Sequence, residues 1–222
     1  MVEKSSLREE KPSKMTIVVW QNIVHSAGMA RGKSGKAGNR ILMMKKNVLL
    51  TGRPGCGKTT LIEKIATGIR IPVAGFLTRE IRERGKRVGF LVETFDGQKG
   101  TLAHVNVQSR VRVGKYGVDM QVLEVLAVPS FHSDSADVLV VVDEIGKMEC
   151  FSPLFRGAVL SALDSPNPVL ASIAERGDAF MEGIKSRSDI EVHKILTSNR
   201  DLLGVSIVDG IRDFLFSRRP KG

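Results

Sequence analysis

The 222-residue chain predicts an α/β fold, a largely parallel central sheet flanked by helices with a β-hairpin-rich insertion. Three observations carry this expectation. From Asn47 onward, apolar runs of strand length alternate with stretches of helical periodicity, the pattern of parallel strands joined by crossover helices. The run Val138–Val142 is apolar without interruption, as a strand buried on both faces must be. Between Thr78 and Met120 the helical spacing disappears, and Gly85 and the Asp96-Gly97 pair punctuate strand-forming residues as hairpin turns do.

Each element follows from its residues. Val48–Leu50 is a short apolar strand, and Thr59–Ile69 places Leu61, Ile62, Ile65 and Ala66 on one helical face. Val73–Leu77 reads as a second strand, Val88–Phe95 is rich in strand formers, and Asp119–Val128 reads as a helix. Ser152 caps the helix after Val138–Val142, with Pro153 at its first position and Leu154, Phe155, Ala158, Val159, Ala162 and Leu163 on one face. Val169–Ile173 and Ile190–Leu196 are two further strands. Asn199 opens a final amphipathic helix through Leu203, Ile207, Ile211 and Phe214.

Composition narrows the function classes. With 42% hydrophobic and 26% charged residues the chain is an ordinary globular sequence, not a disordered or collagenous one. Its longest apolar run, Val138–Val142, is far short of the roughly 20 residues that a membrane-spanning helix needs, so a soluble protein with no membrane partner is expected. Cys56 and Cys150 are too few for a disulfide framework, which suits the cytoplasm. Seven of the ten net positive charges fall in residues 1–46, so the basic character belongs mostly to the N-terminal segment and makes nucleic acid an unfavoured partner. Residues 1–44 read as an extension, mostly disordered, ahead of a domain at 45–222. Glu3, Glu9 and Glu10 stand where a secretory signal would be positive, and Met43 and Met44 offer an alternative translation start.

Gly52-Arg53-Pro54-Gly55-Cys56-Gly57-Lys58-Thr59, followed by Thr60, matches G-x-x-x-x-G-K-[ST] between a strand and a helix, the Walker A context. Glycines let backbone N–H groups converge on phosphate oxygens, and the helix N-terminus adds partial positive charge. Lys58 is expected on the β- and γ-phosphates and the Thr59 hydroxyl on Mg²⁺. A relaxed copy at Ala27–Ser34 has neither the strand nor the helix and is set aside. Asp143 and Glu144 end the apolar run Val138–Val142 as a Walker B element. Asp143 is expected to hold Mg²⁺ through its water shell, and Glu144 to act as the general base or water-orienting residue.

Weaker candidates are Arg53, Arg176 and Arg200, any of which could offer charge or contacts to a nucleotide. Arg79, Arg82, Arg84, Lys86 and Arg87, interleaved with Glu80 and Glu83, read as a solvated basic hairpin tip. His25, His104, His132 and His193 show no metal-ligand spacing. The thiol of Cys56, inside the phosphate loop, is either reactive or buried and inert.

Together with the phosphate loop, Gly75-Phe76-Leu77-Thr78-Arg79-Glu80-Ile81-Arg82, Gly89-Phe90, Val113–Asp119 and above all Val142-Asp143-Glu144-Ile145-Gly146-Lys147-Met148-Glu149 give the chain a resemblance to the THEP-type nucleoside-triphosphatase family over residues 45–217. The resemblance implies a compact P-loop domain that hydrolyses ATP, GTP, CTP, UTP and dTTP to diphosphate and phosphate with Mg²⁺, with little base selectivity and slower action on diphosphates. It implies that residues 52–59 bind phosphate and that Asp143 and Glu144 are the acidic pair. The N-terminal extension departs from the family pattern. Three rivals stay open: a small nucleoside or nucleotide kinase, whose phosphate loop is similar; a GTPase switch, since Asp143-Glu144-Ile145-Gly146 fits D-x-x-G although N-K-x-D is absent; and a nucleic-acid-dependent ATPase.

Overall fold

The computed structural model describes residues 45–196 and 198–218; the extension expected over residues 1–44, and the decoy pattern at 27–34 within it, lie outside them. The chain runs β1 (Asn47–Thr51), α1 (Lys58–Gly68), β2 (Val73–Glu83), β3 (Lys86–Thr94), β4 (Lys99–His104), β5 (Arg112–Val113) and β6 (Tyr116–Val118). A helix, α2, follows in three consecutive pieces, Met120–Val122, a π segment Leu123–Ala127, and Val128–Ser130. Then come β7 (Leu139–Ile145), a 3-10 turn (Glu149–Phe151), α3 (Pro153–Asp164), β8 (Val169–Ile173), α4 (Ala179–Lys185), β9 (Ile190–Lys194) and α5 (Arg200–Ser217).

Among the described residues all nine strands join one sheet in the order β5-β6-β4-β3-β2-β7-β8-β1-β9. Parallel pairing links β2, β7, β8, β1 and β9, and antiparallel pairing carries the sheet outward from β2 through β3, β4, β6 and β5. The hairpins therefore extend the parallel sheet sideways. β2 makes this possible because it is longer than the expected Val73–Leu77: its first residues pair with β7 at Val73–Phe76, and Phe76–Glu83 pair with β3. Gly75 sits at the closest approach, with φ 116° and the position of a Cβ only 1.9 Å from the Val141 carbonyl oxygen, so a side chain there would drive β2 and β7 apart.

β1 and β8 are buried at every residue, as strands covered on both faces must be. α1 buries Leu61, Ile62, Ile65 and Ala66 and packs against α5, which buries Ile207, Val208, Ile211 and Leu215. Phe76 of β2, Phe131 after α2 and Phe155 of α3 meet ring to ring at 5.9 to 6.4 Å between centroids and form the middle of the other core. α2 lies over β3 and β4, so the outer strands bury one face only.

Local signals act as the residues predict. Ser152 caps α3 by accepting the Phe155 N–H at 3.1 Å, with Pro153 at the first helical position. Asp119 caps α2 by accepting from Gln121 and Val122. Leu154, expected on the buried face of α3, is instead 61% exposed, because the buried arc runs through Phe155, Val159, Ala162 and Leu163 and Leu154 lies one step off it. α4, capped by Asp178, was not legible in the sequence: seven residues with two buried side chains, Met181 and Ile184, leave too short a period. Arg79 is not part of the solvated hairpin tip; its guanidinium donates to both Glu63 oxygens at 2.8 and 2.7 Å and to Glu93 at 3.1 Å, tying α1 to β2 and β3.

Candidate active site

The phosphate-loop strand, the acidic strand and the strand between them all point their carboxyl ends at one edge of the sheet, where open α/β sheets hold ligands. The loop from Gly52 to Gly57 leaves β1 there. Gly57 is the N-cap of α1 at φ 95°, a left-handed conformation natural to glycine, and it supplies no side chain to the first-turn N–H groups. No acidic residue occupies that first turn, so the helix itself places no counter-charge at its positive end. Cys56 N–H turns back to the Arg53 carbonyl at 3.2 Å, and Arg53, Pro54, Gly55 and Thr60 are exposed.

Lys58 lies with its Nζ 3.2 Å from the Gly52 carbonyl oxygen and 3.8 Å from Glu144 Oε2, so the lysine faces the acidic pair across the loop. Asp143 and Glu144 lie within β7 and not beyond it, because the strand continues to Ile145. The register with β8 slips between Val142 and Ile145, and the Asp143–Glu144 peptide bond is cis.

Asp143 is 1% exposed. Burial pushes its carboxyl above the usual carboxylate range, opposed by hydrogen bonds from Ser172, Thr59 and Thr78 and by the nearby Lys58 charge. Ser172 of β8 donates its hydroxyl to Oδ1, the Thr78 N–H lies 3.5 Å from Oδ2, and the Thr78 hydroxyl donates to the Asp143 carbonyl. Neither Ser172 nor Thr78 was identified from the sequence. The available signal was one hydroxyl inside the otherwise apolar Val169–Ile173, aligned with the acidic strand. Glu144 is less enclosed: burial raises its carboxyl, Lys58 lowers it and Asp143 raises it.

A hydroxyl and a carboxylate, both hard oxygen donors, meet where Thr59 contacts Asp143, with the Lys58 charge nearby. That donor set fits Mg²⁺, with water or phosphate oxygens left to complete its shell. Among the described residues no group of three or more His, Cys, Asp or Glu side chains forms a metal cage.

Of the three candidate arginines, Arg53 is part of the loop itself and Arg200 packs against it from α5: its Nη1 is 3.0 Å from the position a Cβ on Gly57 would take, and its Nε is buried with no hydrogen-bond partner among the described residues. Arg53 and Arg176 are exposed and both act electrostatically on Glu175, which places the loop after β8 beside the phosphate loop. Cys56 is half-exposed with its sulfur toward Gly52, whereas Cys150 is buried and its thiol is pushed up to about 12.

A family profile described as NTPase matches residues 47–208. The nucleoside-triphosphatase THEP1 of Thermotoga petrophila is 45% identical over 157 residues, spanning 70% of this chain and 87% of that protein. The human cancer-related nucleoside-triphosphatase is 38% identical over 182 residues, spanning 74% and 96% respectively. The crystal structure of THEP1 from Aquifex aeolicus superposes with a TM-score of 0.67 at 33% identity, covering 72% of this chain and 96% of that one. By sequence, by profile and by fold, the chain belongs to the THEP-type NTPase family.

Proposed function

We propose that the chain hydrolyses nucleoside triphosphates to diphosphate and phosphate with Mg²⁺, with low base selectivity and slower turnover of diphosphates. The observation that carries this reading is the pairing of Lys58 with Glu144 at 3.8 Å, which puts a carboxylate opposite the phosphate-binding lysine. Residues 52–60 cradle the triphosphate through backbone N–H groups, and Lys58 turns its charge from Glu144 to the β- and γ-phosphates. Glu144 is then left facing the terminal phosphate, where its carboxylate orients water and accepts its proton; a basicity raised by burial suits that task. Thr59 and Asp143 would hold the Mg²⁺, with Ser172 and Thr78 fixing the carboxylate. The metal supplies charge neutralisation on the phosphate oxygens.

Low selectivity follows from a site whose contacts concentrate on phosphate. No fixed carboxylate for reading guanine was found in the sequence, and N-K-x-D is absent. Two free thiols agree with a reducing, cytoplasmic setting, and among the described residues no helix is long and apolar enough to cross a membrane.

Phosphate release from ATP, GTP, CTP, UTP and dTTP, with no acceptor added, tests the reading. Rates are expected to agree within about tenfold, since strong discrimination needs hydrogen bonds built for one base edge. A preference of about a thousandfold for one nucleotide would overturn the low selectivity. Phosphate transfer only in the presence of an acceptor would establish a kinase in place of the hydrolase.

A further inference from the structure

Glu149 begins the 3-10 turn after β7 and is 5% exposed. Its carboxyl accepts the backbone N–H groups of Gly146 and of Glu149 itself. Burying a carboxyl in this way costs stability that an apolar residue would not cost. Burial, reinforced by the charges of Glu144 and Asp143, pushes it up to about 8, so it is a neutral acid at pH 7.

Gly146 lies between Glu149 and the acidic pair. A Cβ placed on it would stand 2.9 Å from Glu149 Oε2, 3.0 Å from Glu144 Oε1 and 3.1 Å from Glu144 Cγ. The space a methyl group would fill is thus bordered by both carboxyls. Glu144 is bracketed: Oε2 faces Lys58 at 3.8 Å, and Oε1 faces the Gly146 gap that Glu149 closes.

We propose that Gly146 and Glu149 position the Glu144 carboxylate, the glycine by leaving the gap open and the buried acid by walling its far side. The inference rests on the reading that Glu144 activates water. Once Lys58 turns to phosphate, Gly146 and Glu149 bound the side of Glu144 that lies away from the lysine. Glu149 is therefore a positioning residue acting through Glu144.

The test uses the full chain with Mg²⁺-ATP, measuring kcat, KM, nucleotide affinity by a fluorescent ATP analogue, and thermal melting. The three atoms nearest to a Cβ at Gly146 all belong to the side chains of Glu149 and Glu144 and none to the backbone, so in Gly146→Ala the fold should hold while kcat falls by about tenfold or more and KM and affinity stay within about twofold. Glu149→Ala should do the same. Glu149→Gln, which keeps the shape and the hydrogen bonding of the neutral acid, should hold kcat within about threefold. In a Glu144→Gln background, Gly146→Ala should cost nothing further, because the residue it positions is already disabled.

Wild-type kcat in both alanine variants alongside an inactive Glu144→Gln would overturn the positioning role and leave the Glu144 reading standing. An additive loss in the double variant, or a Glu149→Gln loss as deep as that of Glu149→Ala, would overturn it as well. Near-normal kcat in Glu144→Gln would instead sink the reading beneath it. If Glu149→Ala does not fold, Gly146→Ala and the double variant decide.

Discussion

Ser172 donates its hydroxyl to Asp143 Oδ1 from β8, the strand that lies next to both β7 and β1. The bond joins two fully enclosed residues, so neither oxygen has water to fall back on. A carboxylate without that donor is harder to keep charged and harder to aim.

Ser172→Ala should therefore raise the Mg²⁺ concentration needed for half-maximal turnover by about tenfold, the usual scale for losing a residue that orients a metal ligand. Excess Mg²⁺ should restore most of the rate. An unchanged Mg²⁺ requirement would mean that Asp143 does not hold the metal or does not need Ser172 to do so.

Lys58 and Glu144 face each other but should fail differently when replaced. Glu144→Gln removes basicity while keeping size, so kcat should fall by about 10² to 10⁴ with nucleotide affinity nearly intact. Lys58→Ala removes the cation proposed to bind phosphate and should weaken both affinity and turnover. Equilibrium binding of a fluorescent nucleotide beside steady-state kinetics separates the two signatures.

Stability should depend on pH through Glu149, whose folded-state value of about 8 stands above the ordinary 4.5. Below the ordinary value both folded and unfolded chains carry the proton. Between the two values only the folded chain holds it, so stability falls as pH rises; above the folded value both are ionised and the loss is complete. Glu149→Gln cannot ionise and escapes this loss. Its melting temperature should gain on the wild type between about pH 5 and pH 8.5, and a constant difference across that range would contradict the raised carboxyl.

Deleting residues 1–42 should leave the Mg²⁺-dependent rate within a few-fold, since every element of the described site begins at Asn47 or later. Parallel melting and phosphate-release measurements on the two chains check this. A tenfold loss of activity would give the extension a part in the folded domain.

How much of this was legible beforehand differs from element to element. The loop 52–59 and the pair Asp143-Glu144 declare themselves because each needs particular residue types at short, fixed spacing: glycines that admit positive φ, a lysine at the helix start, acids at the end of a buried apolar run. Leu61, Ile62, Ile65 and Ala66 on α1, and Ser152 with Pro153 at the start of α3, follow from local periodicity and capping for the same reason. In contrast, α4 is too short to display a period, and Leu154 looks like its buried neighbours until the sheet shows where the arc of α3 points.

Local chemistry, then, was enough to determine the class of fold and the family that the chain resembles, and to single out the loop 52–59 and the pair Asp143-Glu144 as the candidate site. Tertiary structure decided which distant side chains surround them: Ser172 comes from a strand that sits between β7 and β1 only once the sheet order is set, and Thr78 from the strand on the other side of β7. Glu149 is only the last residue of the Val142–Glu149 motif when read in sequence, and a buried acid near Glu144 across a bare Cα once the chain has folded. The physical reason is that spacing along the chain constrains only what a few consecutive residues can do, whereas burial, and the proton equilibria that follow from it, depend on what the rest of the molecule brings alongside.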